Sequence, residues 1–75
     1  MKELLDYIAK SLVSNPDEVI VSQVESDSSI MLNLHVAQSD MGKVIGKQGK
    51  IARAIRSVIR AASSQEKRRV IVDID

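Results

Sequence analysis

The spacing of apolar residues changes twice in the first half of the chain, and each change predicts a different element. Apolar residues over 2–13 recur at helical spacing, which predicts an amphipathic helix. Pro16 ends this helix, because the residue before a proline disfavours the α conformation. Residues 19–25 are rich in β-branched side chains, and residues 30–36 alternate between apolar and polar. We expect these two strands to pair as an antiparallel hairpin around a polar turn at 26–29.

The second half returns to helical spacing and ends in a strand. Ser39 or Asp40 is suited to cap a helix that begins there. A further helix is predicted from Lys50 to about Ala62, and residues 69–74 alternate as a last strand. The order α-β-β-α-α-β defines an α+β fold, in which we expect a three-stranded mixed sheet with three helices on one face. A helical crossover between the second and third strands favours parallel pairing of those two.

A four-residue Gly-x-x-Gly step, Gly46-Lys47-Gln48-Gly49, separates the two helices predicted in this half. Glycine permits positive φ and leaves no side chain to obstruct another molecule. The free N–H groups and positive dipole end of the following helix lie at this step, and such helix ends bind phosphate. Lys47 and Lys50 add positive charge at the same place. On this pattern alone, a helical corner with glycine caps is the alternative.

Positive charge is concentrated in the same half of the chain. The net charge is +1, but residues 43–69 hold nine basic residues against one acidic residue, Glu66, a net charge of +8. On the helix predicted from Lys50, basic side chains gather opposite the apolar face at Lys50, Arg53, Arg56 and Arg60. A basic segment in a near-neutral chain favours a local site for a polyanion. A solvated helix face is the alternative.

Length and composition exclude several classes of protein. The 75 residues are enough for one domain, 1–75, with a small core. The absence of cysteine excludes disulfides and thiolate metal sites, and we interpret the single histidine, His35, as a surface residue. We interpret Tyr7, the one aromatic residue, as a half-buried core residue. No apolar run is long enough to cross a membrane and no signal peptide is visible, so we expect a cytoplasmic protein.

The stretch from Gly42 to Gly49 resembles the signature of a known family. An apolar pair, Val44-Ile45, precedes Gly-x-x-Gly between two helices, as in the KH domain, and the predicted order is that of its type II, prokaryotic topology. The whole chain resembles the small bacterial single-KH proteins of the KhpA type, the YlqC family. One departure is visible. Many KH domains carry isoleucine three residues after the second glycine, whereas this chain has Ala52 there and Ile51 one position earlier.

This resemblance implies a ligand, a set of contacts and partners. KH domains bind single-stranded RNA or DNA, and their Gly-x-x-Gly loop clamps the backbone of four nucleotides. The resemblance implies single-stranded RNA as the ligand, self-association, and a heterodimer with a KhpB-type protein, also called Jag or EloR. It further implies an RNA chaperone or post-transcriptional regulator in the control of cell elongation and division, and no cofactor or metal.

Within this resemblance, Lys47, Gln48 and Lys50 contact phosphates, and Gly46 and Gly49 let the phosphates approach the backbone. An apolar wall at Gly42, Val44, Ile45 and Ile51 lies against the bases. For Val44, Ile45 and Ile51, burial in the core is the alternative, because apolar residues at helical spacing are usually buried. The expected RNA-binding residues are Gly42, Lys43, Val44, Ile45, Gly46, Lys47, Gln48, Gly49, Lys50, Ile51 and Arg53.

Two other classes of function are alternatives to RNA binding. An enzyme is not expected, because the chain has no phosphate-loop motif, no cysteine nucleophile and no histidine beside a nucleophile motif. A protein-interaction scaffold is the stronger alternative, because a domain of this size has little area for tight RNA binding by itself. In that case dimerisation is the main role and RNA binding is secondary.

Overall fold

The computed structural model describes residues 1–74, with the side chain of Lys47 outside the description. These described residues form two α-helices, a short 3₁₀ helix and three strands, in the α+β arrangement predicted from the sequence. In chain order these are α1 (Lys2–Leu12), the 3₁₀ helix (Pro16–Glu18), β1 (Ile20–Glu25), β2 (Ser29–His35), α2 (Gln38–Ala62) and β3 (Arg69–Ile74). The predicted strand bounds differ from the observed ones by one residue at most.

The sheet has the order β1-β2-β3, with one antiparallel and one parallel pair. Val21 lies opposite Leu34 in the antiparallel pair, and Leu34 lies opposite Ile74 in the parallel pair. The predicted hairpin and the predicted parallel crossover are therefore both confirmed. The 25-residue α2 makes the crossover possible, because parallel neighbours need a long connection.

The core lies between one face of the sheet and the helices. The alternation along β2 turns Ile30, Leu32 and Leu34 inward, and all three are buried. The helices add the buried side chains of Leu5, Val44, Ile55 and Ile59. On the opposite face of β2, Met31 and His35 are exposed, which confirms the interpretation of His35 as a surface residue.

Two details of the helices differ from the sequence prediction. Tyr7 is 72% exposed on α1, so its assignment to the core is wrong. The cap predicted at Ser39 or Asp40 is wrong too, because α2 begins after Ala37, which makes no side-chain cap hydrogen bond. Asp40 lies in the first turn of the helix, where its carboxylate accepts hydrogen bonds from the loop that follows α1. This contact holds the start of α2 against the first helix.

Candidate nucleic-acid interface

The Gly-x-x-Gly step interrupts α2 over two residues. Gln48 has a φ of 62° and Gly49 a φ of 69°, both in the left-handed region. A right-handed helix cannot continue through two such residues, so α2 bends here into an N-terminal and a C-terminal part. The bend is shorter than the four-residue turn predicted from the sequence. Only Gly49 uses the positive φ that glycine permits, and Gln48 is the second left-handed residue in place of Gly46.

A surface groove of about 420 Å³ lies beside this bend. Gly42 and Gly46 lie one helical turn apart along it. Lys43 and Lys50 lie at its sides, and Ile51 provides an apolar surface. We call these five residues the glycine groove. The structure thus brings together five of the residues that the resemblance implied for RNA binding.

The glycines of this groove are not required by packing within the chain. A Cβ atom built on Gly42 or Gly46 meets nothing within 4 Å. Neither residue has a positive φ, and glycine inside a helix is less favourable than alanine by about 1 kcal/mol. The chain therefore carries two glycines that weaken its own helix. What they provide is a stretch of backbone that another molecule can approach closely.

The apolar residues around the bend divide into a buried and an exposed set. Ile45 is 50% exposed, and Ile51 is half-buried and packs against the core. Val44 is only 1% exposed, so it does not offer bases a surface as the resemblance implied. Two consecutive helical residues point about 100° apart, so Val44 points into the core and Ile45 points to the surface. Ala52, which replaces the isoleucine of many KH domains, is buried, whereas its neighbour Ile51 reaches the groove.

The polar residues implied for phosphate contact lie on the surface. Lys43, Gln48, Lys50 and Arg53 are all exposed. The implied contact of Lys47 falls on a side chain outside the described residues. The one acidic residue of α2, Asp40, is buried and bound to the loop after α1. The outer surface of this helix is therefore positively charged.

A second cleft, of about 370 Å³, lies between the C-terminal end of α2 and the start of β3. We call it the arginine cleft, and its lining includes Arg56, Arg60, Ser63, Arg68, Arg69 and Val70. The RNA-binding residues expected from the sequence do not extend beyond Arg53. The signal that points further is the spacing of Arg53, Arg56 and Arg60, which share one face of a helix.

Arg68 differs from the other arginines of this cleft because carboxylates hold it. Its guanidinium donates two hydrogen bonds to Glu66, at 2.9 and 3.2 Å, and one to Glu25 at 2.9 Å. The hydrogen bonds from Arg68 lower the pKa of Glu66 to about 2. Since Glu25 lies at the end of β1, Arg68 connects the start of β3 to the far edge strand.

With the two parts of α2 on either side of the bend counted separately, the element order is α-β-β-α-α-β. This order, with a mixed sheet and a Gly-x-x-Gly bend, is the arrangement of a type II KH domain. A family model described as KhpA/KhpB, KH domain, matches residues 2–74. The chain belongs to this family of KH domains. The comparison with solved structures finds no match.

Several curated proteins are similar over nearly the whole chain. A protein of Clostridium acetobutylicum named RNA-binding protein KhpA is 64% identical over 74 residues, which cover 99% of each chain. A protein of the same name from Caldanaerobacter subterraneus subsp. tengcongensis is 57% identical, again over 99% of each chain. One from Borreliella burgdorferi is 47% identical over 72 residues, which cover 96% of this chain and 88% of the relative.

Two other kinds of feature are absent from the described residues. No helix among them is long and apolar enough to cross a membrane. Within residues 1–74, no three histidine, aspartate or glutamate side chains come together in a group that could hold a metal ion.

Proposed function

We propose that this chain binds single-stranded RNA in the glycine groove and clamps the phosphate backbone at the bend of α2. The observation that carries the proposal is the pair of glycines at positions 42 and 46. They leave open backbone between Lys43 and Lys50, although the packing of the chain does not need glycine at either position. RNA binding is also the activity in the names of the similar proteins.

The physical basis of the clamp is electrostatic. The C-terminal part of α2 starts after the two left-handed residues of the bend, so the positive end of its dipole lies next to Lys50, which lines the groove. Phosphate is favoured at such a helix end, and the charges of Lys43 and Lys50 lie beside it. Bases then lie against Ile51 and the exposed side chain of Ile45. Stacking platforms of aromatic residues are not needed for this mode of binding.

The experiment that tests this clamp places negative charge in the bend. In the double variant Lys47→Asp/Gln48→Asp, two carboxylates stand between Gly46 and Gly49 in place of a lysine and a glutamine. We expect RNA affinity to be lost in a filter-binding or fluorescence titration, with an unchanged circular-dichroism melt. Substitutions at exposed positions usually change stability by no more than about 0.5 kcal/mol.

A matched control has the same two substitutions at exposed positions elsewhere. Lys2→Asp/Gln23→Asp changes the net charge by the same amount on α1 and β1. If this control loses as much affinity as the variant in the bend, the effect is one of net charge. RNA binding at wild-type affinity by Lys47→Asp/Gln48→Asp would contradict the clamp and leave the bend as a structural corner.

We further propose that the chain acts in assemblies, as a homodimer and as a heterodimer with a KhpB-type KH protein. The family description, which joins KhpA with KhpB, supports this proposal. The exposed apolar side chains Ile20 and Val24 on the open face of the sheet are a second support, because a small domain gains stability by covering such residues. Light scattering at micromolar concentration should give a dimer mass, and a monomer mass would refute self-association.

The biological role that fits these properties is that of a cytoplasmic RNA chaperone or post-transcriptional regulator in the control of cell elongation and division. In this role residues 1–75 form one KH domain that acts by binding, without catalysis and without a cofactor. If RNA affinity does not depend on salt and is not changed by substitutions in the bend, the alternative is a dimerisation scaffold in which RNA binding is secondary. Sequencing of RNA crosslinked to the protein in cells separates the two.

A further inference from the structure

A row of arginines continues from the bend of α2 to the arginine cleft. Arg53 follows Gly49 by four residues, Arg56 follows after three more, and Arg60 after another four. Helical residues at these spacings are neighbours on one face, with Cβ atoms about 5–6 Å apart. We call Arg53, Arg56 and Arg60 the arginine stripe. At about 1.5 Å per residue, the stripe reaches about 16 Å from Gly49 to Arg60.

The charges of this stripe are not neutralised within the described part of the chain. None of its three arginines is in an ion pair among residues 1–74. The nearby acidic residues Glu25 and Glu66 are both held by Arg68. Like charges at these helical spacings destabilise a helix by about 0.2–0.5 kcal/mol per pair. A bound anion would relieve this repulsion.

The far end of the stripe has the shape as well as the charge of a binding site. Arg56 and Arg60 line the arginine cleft together with Arg69, which lies at the start of β3. Val70 and the hydroxyl-bearing Ser63 line the same cleft. Arginine presents several N–H donors in a planar fork that matches the geometry of phosphate. The cleft therefore combines phosphate donors with apolar surface for a base or a ribose.

We propose that the arginine stripe and the arginine cleft form a second stretch of the RNA-binding surface, which holds the strand after it leaves the bend of α2. This proposal rests on the proposed function of the glycine groove. The bend clamps four nucleotides. If the strand keeps the stacked spacing of a duplex strand, about 3.4 Å per nucleotide, about five more nucleotides cover the further 16 Å to Arg60, and a more extended strand covers it with fewer. The preferred ligand is then a single strand of at most about nine nucleotides.

The test compares two lengths of single-stranded RNA of random sequence, a tetranucleotide and a strand of about ten nucleotides. The variant Arg56→Gln/Arg60→Gln removes two charges from the arginine cleft, and Lys2→Gln/Lys10→Gln removes two from α1 as the control. All four positions are exposed, so the fold should persist, and circular dichroism checks this. Because a longer strand offers more binding registers to every variant, the comparison is made between variants on the same strand.

We expect Arg56→Gln/Arg60→Gln to weaken binding of the longer strand by about tenfold and to leave the tetranucleotide unchanged. The log–log slope of affinity against salt should become shallower by about 1.4 on the longer strand, since each neutralised phosphate contributes about 0.7. In NMR titrations of the wild type, the tetranucleotide should shift the amides of residues 42–51. The longer strand should also shift those of Arg56, Arg60 and Arg69.

The second stretch would be overturned if Arg56→Gln/Arg60→Gln lost as much affinity for the tetranucleotide as for the longer strand. It would also be overturned if the Lys2→Gln/Lys10→Gln control lost as much affinity for the longer strand as Arg56→Gln/Arg60→Gln. Either result means a general effect of charge. Unchanged affinity of Arg56→Gln/Arg60→Gln for the longer strand would overturn it too. In these cases the glycine groove still binds the tetranucleotide and its proposed function survives. If neither strand shifts the amides of residues 42–51 in the wild type, the proposed function fails as well.

Discussion

The carboxylate of Asp40 binds both the backbone and the side chain of Asn15. One oxygen accepts a hydrogen bond from the Asn15 backbone N–H at 3.0 Å and another from its side-chain amide at 3.1 Å. The other oxygen accepts from the backbone N–H of Ser14 at 3.0 Å. Asp40 is 2% exposed. A buried carboxylate thus fixes the loop after α1 to the first turn of α2, which leads into the glycine groove.

Replacement of Asp40 by alanine should destabilise the domain. It removes the acceptor for three hydrogen bonds and leaves the N–H groups of Ser14 and Asn15 without a partner in the chain. We expect the melting temperature to fall by on the order of 10 °C. Asp17→Ala, at an exposed position of the same loop region, is the control and should leave it unchanged. Equal melting temperatures for the two variants would contradict this role of Asp40.

Acid should weaken the fold through the same carboxylate and through Glu66. Burial alone would raise the pKa of Asp40, but the hydrogen bonds from Ser14 and Asn15 outweigh it and hold the pKa below the ordinary value of 3.8. Hydrogen bonds from Arg68 lower the pKa of Glu66 from 4.5 to about 2. Each group binds protons more weakly when folded, so protonation favours unfolding.

The stabilisation by both carboxylates should therefore be complete above about pH 5 and decline as the pH falls from 4.5 towards 2. Thermal melts across this range measure the decline. The variants Asp40→Asn and Glu66→Gln should each show a smaller loss of melting temperature than the wild type, since each lacks one of the groups that titrate. A wild-type melting temperature that stays constant between pH 5 and pH 2.5 would disprove the linkage.

The sequence predicted most of the fold because local patterns agree with the tertiary arrangement. The alternation of Ile30, Leu32 and Leu34 gives the buried face of β2 directly. The order of the elements then leaves few topologies, and the parallel crossover is one of them. The assignment of Tyr7 to the core was wrong because the apolar stripe of α1 is already complete without it, and its side chain points to solvent.

The site was predicted less fully, for two physical reasons. Nothing in the type of residue 48 signals a left-handed backbone, because glutamine has no preference for positive φ. The partners of Arg68 depend on tertiary contact, since Glu25 lies 43 residues away along the chain. Sequence reasoning could count the arginines but could not tell which of them are neutralised. That distinction separates Arg68 from Arg56 and Arg60.

The glycines of α2 should show opposite effects on stability. Gly42→Ala and Gly46→Ala should each stabilise the domain by about 1 kcal/mol, since both positions are helical and a Cβ meets open space. Gly49→Ala should destabilise it by about 1–2 kcal/mol because of its φ of 69°. Urea denaturation measures these changes.

RNA affinity separates function from stability in the same variants. Gly46→Ala should weaken RNA binding although it strengthens the fold, because its methyl group narrows the glycine groove. A stabilised Gly46→Ala protein with undiminished RNA affinity would mean that the backbone at this position does not contact RNA.

Val44 and Ile45 are adjacent in sequence but should respond in opposite ways to truncation. Val44 is 1% exposed in the core, so Val44→Ala should reduce the free energy of unfolding by about 1–2 kcal/mol through lost burial and the cavity left behind. Ile45 is 50% exposed beside the bend, so Ile45→Ala should change stability by less than about 1 kcal/mol and weaken RNA binding by removing apolar surface for a base. Urea denaturation and RNA titration of both variants give the comparison. If Ile45→Ala keeps full RNA affinity but shifts the dimer to monomer in light scattering, the exposed side chain serves self-association and the apolar wall for the bases reduces to Ile51.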